Sequence, residues 1–338
     1  ANGRRARIGC AVIGWILLRA NSSDLVSAFC GRDTGGLSGR DHRVDRKSSP
    51  APYGDAPMIY VVFAVLLWVS GWMLNVRLAN GPHAQSRSIQ LLVPAIFGLT
   101  ILLIWELIVR GLSVPLVILP PPSMIAGRFA GSLPILWQDF VQTFVKGALS
   151  GYVIGCAAAF ILAIVVDRFD FLRRGLLPVG NFMAALPIVG TAPILVMWFG
   201  FDWQSKAAVV VVMVFFPVLV NTVAGLRDTS DMQRDLMRTY GASYSQTLMK
   251  LRLPAAMPFI FNGLKIATTL ALVGAIVAEF FGSPTRGMGF RISTSVGQLA
   301  LDMVWAEIVV AALAGSVFYG AIALFERGVT FWHPSQRK

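Results

Sequence analysis

Residues 207–226 read AAVVVVMVFFPVLVNTVAGL, twenty consecutive positions without a charge. Hydrocarbon offers no partner to a bare backbone N–H or C=O, so a crossing segment must bond internally, which takes a helix of about 20 apolar residues. This stretch has that length. Working outward, Gly147–Val166 is equally free of charge, and so is Gly175–Gly200, although Pro178, Pro187 and Pro193 interrupt it. Ile89–Val109 holds one charge, Glu106; Phe259–Phe281 holds Lys265 and Glu279; Met303–Phe325 holds Glu307. These runs predict an all-α integral membrane protein with six core transmembrane helices. Composition agrees: 14% of residues are charged, against about a quarter in soluble domains.

The formal net charge is +12. No basic stripe with interleaved aromatics accompanies it, so nucleic acid is not an expected partner. The cations instead sort by side of a lipid bilayer. If the first core run starts in the cytoplasm, the cytoplasmic segments 167–174, 227–258 and 327–338 hold Arg168, Arg173, Arg174, Arg227, Arg234, Arg238, Lys250, Arg252, Arg327, Arg337 and Lys338. The opposite segments hold Arg128, Lys206, Arg286 and Arg291. This asymmetry predicts a multi-pass chain with a cytoplasmic C-terminus. Trp105, Trp137, Trp198, Trp203 and Trp305 sit near run ends, as interfacial anchors do.

The N-terminal part fits less simply. Met58–Val76 is another uncharged run, yet crossing there would place nine Lys/Arg of residues 1–57 outside. Three readings stay open: an extra helix behind a disordered leader, an uncleaved signal-like anchor, or a mis-chosen translation start. The first is preferred: an atypical leader 1–57, an extra transmembrane helix 58–79, and a functional core 88–333.

The longest cytoplasmic segment, 227–258, reads as helix, bend, helix. Asp228, Thr229, Ser230 and Asp231 offer N-caps, and Met232, Leu236 and Met237 recur at helical spacing. Gly241 permits a bend, Ser243 or Ser245 caps a second helix, and Pro254 and Pro258 end it before the next run. The apolar face of such a hairpin needs a cover, either its own bundle or a partner groove.

The words Asp235-Leu-Met-Arg-Thr-Tyr-Gly241 and Leu251-Arg-Leu253-Pro254 resemble the EAA loop of binding-protein-dependent transport permeases, the MetI-like family. Asp235 stands where glutamate is usual, and Leu236 and Met237 where alanines are. Further words resemble the nitrate, sulfonate, taurine and pyrimidine-precursor subgroup: Leu119-Pro-Pro-Pro-Ser123, Trp198-Phe-Gly200 with Ser205-Lys206, Phe215 to Thr222 with Gly225-Leu-Arg227, and Ala278-Glu-Phe280. The resemblance implies a MetI-like bundle in a bacterial inner membrane. It also implies a second permease copy as homodimer partner, two ABC ATPase subunits, and a periplasmic or extracellular solute-binding protein. In such importers the EAA loop seats its helices in a groove of the ATPase. Asp235, Arg238, Gly241, Ala242, Leu251, Leu253 and Pro254 are the positions it assigns to coupling. Arg238 and Lys250 have a second reading, plain positive-inside placement.

The chain lacks a G-x-x-x-x-G-K-[ST] phosphate cradle and has no Gly-Lys pair. It is therefore expected to be no enzyme and to hold no cofactor, with ATP and Mg bound by the ATPase partner. No metal site is expected either: Cys10, Cys30 and Cys156 lack ligand spacing, and His42, His83 and His333 are scattered. The pathway is placed near 183–197 and 215–222, where prolines break the helices, with Asn181, Met183, Pro187, Thr191, Phe216, Asn221 and Glu279 as lining candidates. Interhelical hydrogen bonding is the competing role for the amides and hydroxyls. Glu279 has alternatives in outward snorkelling and in capping a neighbouring helix; Lys265 reads as snorkelling. Gly147, Gly151 and Gly155 form a stripe for close packing within the subunit. The subgroup words favour a small heterocycle as substrate, a pyrimidine thiamine precursor or a riboflavin-like compound. A nitrate, sulfonate or taurine permease is the alternative, and a secondary transporter a more distant one.

Overall fold

The computed structural model describes residues 56–81, 84–184, 187–282 and 285–331. The leader, the three histidines, Cys10 and Cys30 lie outside the described residues. Chain order gives α1 (Ala56–Ala79), α2 (Arg87–Gly111), α3 (Pro122–Gly131), α4 (Leu133–Phe140) and, after a π-helical segment Val141–Leu149, α5 (Ser150–Arg168). There follow α6 (Asp170–Ala184), α7 (Ile188–Phe199), α8 (Trp203–Leu226), α9 (Asp231–Thr239) and α10 (Tyr244–Thr247). A second π segment, Leu248–Arg252, leads into α11 (Leu253–Phe281), then α12 (Met288–Gly297) and α13 (Leu301–Val329). Among the described residues there is no strand, and six helices are long and apolar enough to cross a membrane.

Those six differ from the six expected core runs in one respect. Ile59–Ala79 is among them, and 175–200 is not. The latter divides into α6 and α7, with extended backbone at Pro187 heading the second piece. Proline has no N–H to donate and its ring crowds the carbonyl four residues back, so the chain restarts there instead of continuing. Two other helices are longer than expected. Leu133–Arg168 is one helix of 36 residues, and Tyr244–Phe281 is one of 38. Pro254 and Pro258 therefore do not end the helix before the next run. The π turn just before Pro254, where the Leu253 N–H reaches the Leu248 carbonyl, widens the spiral and relieves the missing bond.

The centre of the bundle is α5, α8 and α11, and small residues let these axes approach. A Cβ at Gly151 would sit 2.6 Å from the Ala207 carbonyl oxygen, and one at Gly155 would sit 2.5 Å from Val214 Cγ2. The glycine stripe thus packs α5 on α8 within the subunit. At Gly225 a Cβ would meet Phe259 Cβ at 2.6 Å, fixing α8 on α11. Ala267, Ala271, Ala275 and Ala278 line the buried face of α11. Val210, Val214 and Val218 fill the space between, and the Tyr152 hydroxyl donates to the Leu264 carbonyl at 3.2 Å. Phe318 brings α13 in, edge-on to Tyr152 and Phe144. Lys265 does not snorkel free: it pairs with Glu326 of α13 at 2.8 Å. α1 packs along α2, where Gly71 faces Thr100, and Trp105 meets Trp305 at 4.9 Å to join α2 to α13.

Candidate functional site

The hinge between α9 and α10 is built from local rules. Ser230 caps α9: its hydroxyl accepts the Gln233 N–H at 3.3 Å while the Gln233 side chain accepts the Ser230 N–H at 3.0 Å. This reciprocal box satisfies two donors that a helix start leaves bare. Ser243 and Gln246 repeat the arrangement on α10. Between them Gly241 has φ +67°. Its N–H reaches the Arg238 carbonyl at 2.9 Å, and the Ala242 N–H reaches the Met237 carbonyl at 3.0 Å. That pair of bonds is the Schellman ending, which needs a left-handed residue at the position Gly241 holds. On α9 and its C-cap, Met232, Leu236 and Tyr240 stand one turn apart and are all exposed, Met232 at 82%. Asp235 and Arg238 pair with each other at 3.1 Å on the solvated side.

The base of the hairpin is held tightly. Arg252 forms two bonds of 2.6 Å to the Asp167 carboxylate at the end of α5, and its Nε donates to the Leu226 carbonyl at the end of α8 at 2.9 Å. The Tyr244 hydroxyl donates to the same carboxylate at 3.0 Å, and the Arg168 guanidinium lies 4.6 Å from the Tyr244 ring centre. Asp167 is almost fully buried. Beneath, Leu226, Leu248, Ala256 and Ile260 form a small core that Leu253 packs against. The sequence reading places Arg252 among the cytoplasmic cations and inside Leu251-Arg-Leu253-Pro254 without a role of its own, and Asp167 and Tyr244 are not among its site residues. The available signal was an acid closing an apolar run on the same side as an arginine that ends the loop.

The break at Pro187 opens a cavity of about 320 Å³ between α6, α7, α8 and α11. It is lined by Met183, Thr191 and Phe216 of the expected set, together with Trp198, Met213 and Pro217. No charged side chain lines it. Pro187 precedes its lining helix, and the side chain of Asn181 lies outside the described residues. Asn221 is placed beside it on α8, where it bonds the Pro217 carbonyl at 2.8 Å and accepts from Asn262 of α11 at 3.1 Å. Glu279 is elsewhere. It is 2% exposed near the far end of α11, takes the Thr143 hydroxyl at 2.8 Å, and takes the Gly289 N–H at 2.7 Å at the start of α12. The helix-capping alternative describes that contact. Lys206, counted among the outer-loop cations, is inside α8 and donates to the carbonyls of Phe201 and Gly282. Among the described residues no group of three or more His, Cys, Asp or Glu is arranged for a metal ion.

Comparison with known proteins agrees with this architecture. Residues 151–331 match the family described as binding-protein-dependent transport system inner membrane component. A formylaminopyrimidine transport permease protein (ThiX) of Halalkalibacterium halodurans is 32% identical over 256 residues, 75% of this chain and 100% of its own length. A riboflavin transport system permease protein (RibX) of Chloroflexus aurantiacus is 31% identical, covering 70% of this chain and 88% of its own. The taurine transport system permease protein (TauC) of Escherichia coli is 29% identical, covering 68% and 85%. The chain belongs to the binding-protein-dependent transport system inner membrane components, the MetI-like permease subunits of ABC importers, whose ATPase is a separate subunit.

Proposed function

We propose that this permease couples to its ATPase through the 227–258 hairpin and passes a small planar heterocycle, of the pyrimidine thiamine-precursor or riboflavin type, along the wall made by α7, α8 and α11. One observation supports the coupling role above the others: the exposed row Met232, Leu236 and Tyr240 stands on a hinge whose base is clamped to α5 and α8 by Arg252 and Asp167. A face that presents three large apolar groups to solvent is suited to a groove on a partner, and a clamped base passes force to the bundle instead of dissipating it in the loop. ATP and Mg belong to that partner. A second copy of this chain faces the first across the pathway, a solute-binding protein delivers the solute from the other side, and the C-terminus is cytoplasmic in the bacterial inner membrane.

The substrate reading rests on the cavity. Its lining is apolar and aromatic with one hydroxyl, Thr191, and no cation. Such a wall favours a flat ring that stacks and takes few hydrogen bonds, and two relatives are named for formylaminopyrimidine and riboflavin transport. The test is co-expression with the cognate ATPase and binding protein. Met232→Asp combined with Leu236→Asp should leave the permease monodisperse yet unable to retain the ATPase on a column. Uptake by the wild-type complex in vesicles should accept a formylaminopyrimidine or flavin and refuse taurine. Retention of the ATPase by the double variant contradicts the coupling role, and transport of taurine alone contradicts the substrate class.

A further inference from the structure

The exposed face of α11 carries a group that a lipid-facing surface does not hold. Asn262, Ile266, Thr269 and Val273 recur at one-turn steps, and all four are exposed. Asn262 stands nine residues beyond Leu253 on a helix of 29 residues, about 13 Å along its axis. It therefore lies at membrane depth, above the clamped base of the hairpin. A carboxamide open to hydrocarbon would have donors and an acceptor with nothing to bond. Polar side chains at that depth face the bundle interior or a water-filled space. The stripe adjoins Leu270, which lines the cavity, so it continues the wall of the pathway towards the hairpin.

The orientation of this amide is fixed by its neighbour. The Pro217 carbonyl can only accept, so Asn221, whose amide reaches it at 2.8 Å, must give it Nδ2. Asn221 therefore turns its oxygen towards α11, and Asn262 answers with its own Nδ2 at 3.1 Å. Gly263 keeps the two helices close at this level: a Cβ on it would stand 3.0 Å from Asn221 Cβ. The relay uses one N–H of Asn262. Its second N–H and its Oδ1 have no other bond among the described residues. Joining two helices needs only the one bond, and the amide carries a donor and an acceptor beyond it.

We propose that Asn262 reads the edge of the solute's ring as it passes, Oδ1 accepting an N–H of the ring system and Nδ2 donating to the nitrogen or carbonyl oxygen beside it. This rests on the substrate reading above and adds the residue that selects among flat rings. Aminopyrimidine and flavin rings both present a donor next to an acceptor. One carboxamide satisfies such an edge in a bidentate pair, as asparagine does on adenine. A sulfonate offers only acceptors and leaves Oδ1 without a donor, which turns the same amide against it. The aromatic wall of the cavity takes any flat ring; Asn262 tells one from another by its hydrogen-bonding edge. Asn221 is a positioning residue, which aims the amide and does not touch the solute.

Uptake into proteoliposomes by the full importer, with its ATPase and saturating binding protein, tests it. The probes are an aminopyrimidine and the same ring with hydrogen in place of the amino group, or a flavin and its N3-methylated form, which lacks the ring N–H. The quantity read is the preference for the first of each pair in the wild type, divided by that preference in Asn262→Leu, so that the binding protein's own preference cancels. Loss of a bidentate pair predicts a quotient of about tenfold or more. A quotient near one in an assembled, transporting variant overturns the proposal. If that variant also melts lower, the amide only joins α8 to α11; if its dimer dissociates more readily, the amide serves the contact with the second copy. Should Asn262→Leu fail to assemble, Asn262→Ser removes the same edge with a smaller polar side chain, and the same quotient decides. A wild-type importer that carries taurine and neither ring removes the substrate reading itself, and this inference with it.

Discussion

The two ends of α8 solve different problems with the same residue types. At the Leu226 end, Arg252 and Asp167 make a bidentate pair that ties a solvated hairpin to the bundle, and on α9 Arg234 pairs with Asp231 and Arg238 with Asp235. At the Trp203 end, Asp139, Glu279, Glu307 and Lys206 are buried beside a half-buried Arg291, and three hydrogen bonds of the group go to the backbone of Gly282, Gly287 and Gly289. The first end is a rigid base under a free lever. The second is a closed knot. An element meant to move against a partner keeps its ion pair at the hinge and its apolar groups outside. An element meant to stay put buries its charges on backbone donors.

The largest expected effect breaks the first end. Arg252→Ala leaves the buried Asp167 carboxylate unpaired, which costs about 3–5 kcal/mol in a buried pair. Thermal unfolding in detergent should show a strong drop, and Asp167→Asn in the same background should recover part of it. Next comes the body between the ends. Gly151→Leu pushes against the Ala207 carbonyl, a backbone atom that cannot swing aside. Overpacking of this kind costs about 1–3 kcal/mol, read as a lower melting temperature with hairpin function impaired only in proportion. Third, Gly241→Val forces a branched side chain into φ +67°, at about 1–2 kcal/mol. The strain falls in the loop, so bundle stability measured by hydrogen exchange in α5 and α11 should not change while coupling does. The smallest effect sharpens the contrast: Arg238→Ala removes a solvated pair worth about 0–1 kcal/mol, and the melting temperature should stay within error.

Much of this architecture was legible in the chain. Length and apolarity of 207–226 alone imply a spanning helix, and the capping residues Ser230, Gly241 and Ser243 declare the hairpin because caps act over four residues. The split of 175–200 was harder to read. Pro178 and Pro193 are absorbed inside α6 and α7 while Pro187 breaks the chain, and the choice among three prolines is made by packing. The passage through Pro254 likewise depends on a π turn that periodicity does not reveal. The knot was invisible for another reason. Asp139 and its donor Gly287 are 148 positions apart, and an acid near a run end looks the same whether it meets water or a buried backbone donor. Glu279 drew attention as an intramembrane charge, but only its neighbours Thr143 and Gly289 show what it touches.

The central claim is that the 227–258 hairpin turns ATP hydrolysis into movement of the bundle. The direct measurement is ATPase activity of the full importer in proteoliposomes, with and without its loaded binding protein, for wild type and Gly241→Val. The account predicts that the variant assembles and hydrolyses ATP at the basal rate, yet gains little or no stimulation from the loaded binding protein and transports no solute. Full stimulation and normal uptake by a correctly assembled Gly241→Val importer, or solute transport by this chain with no ATPase present, would contradict it.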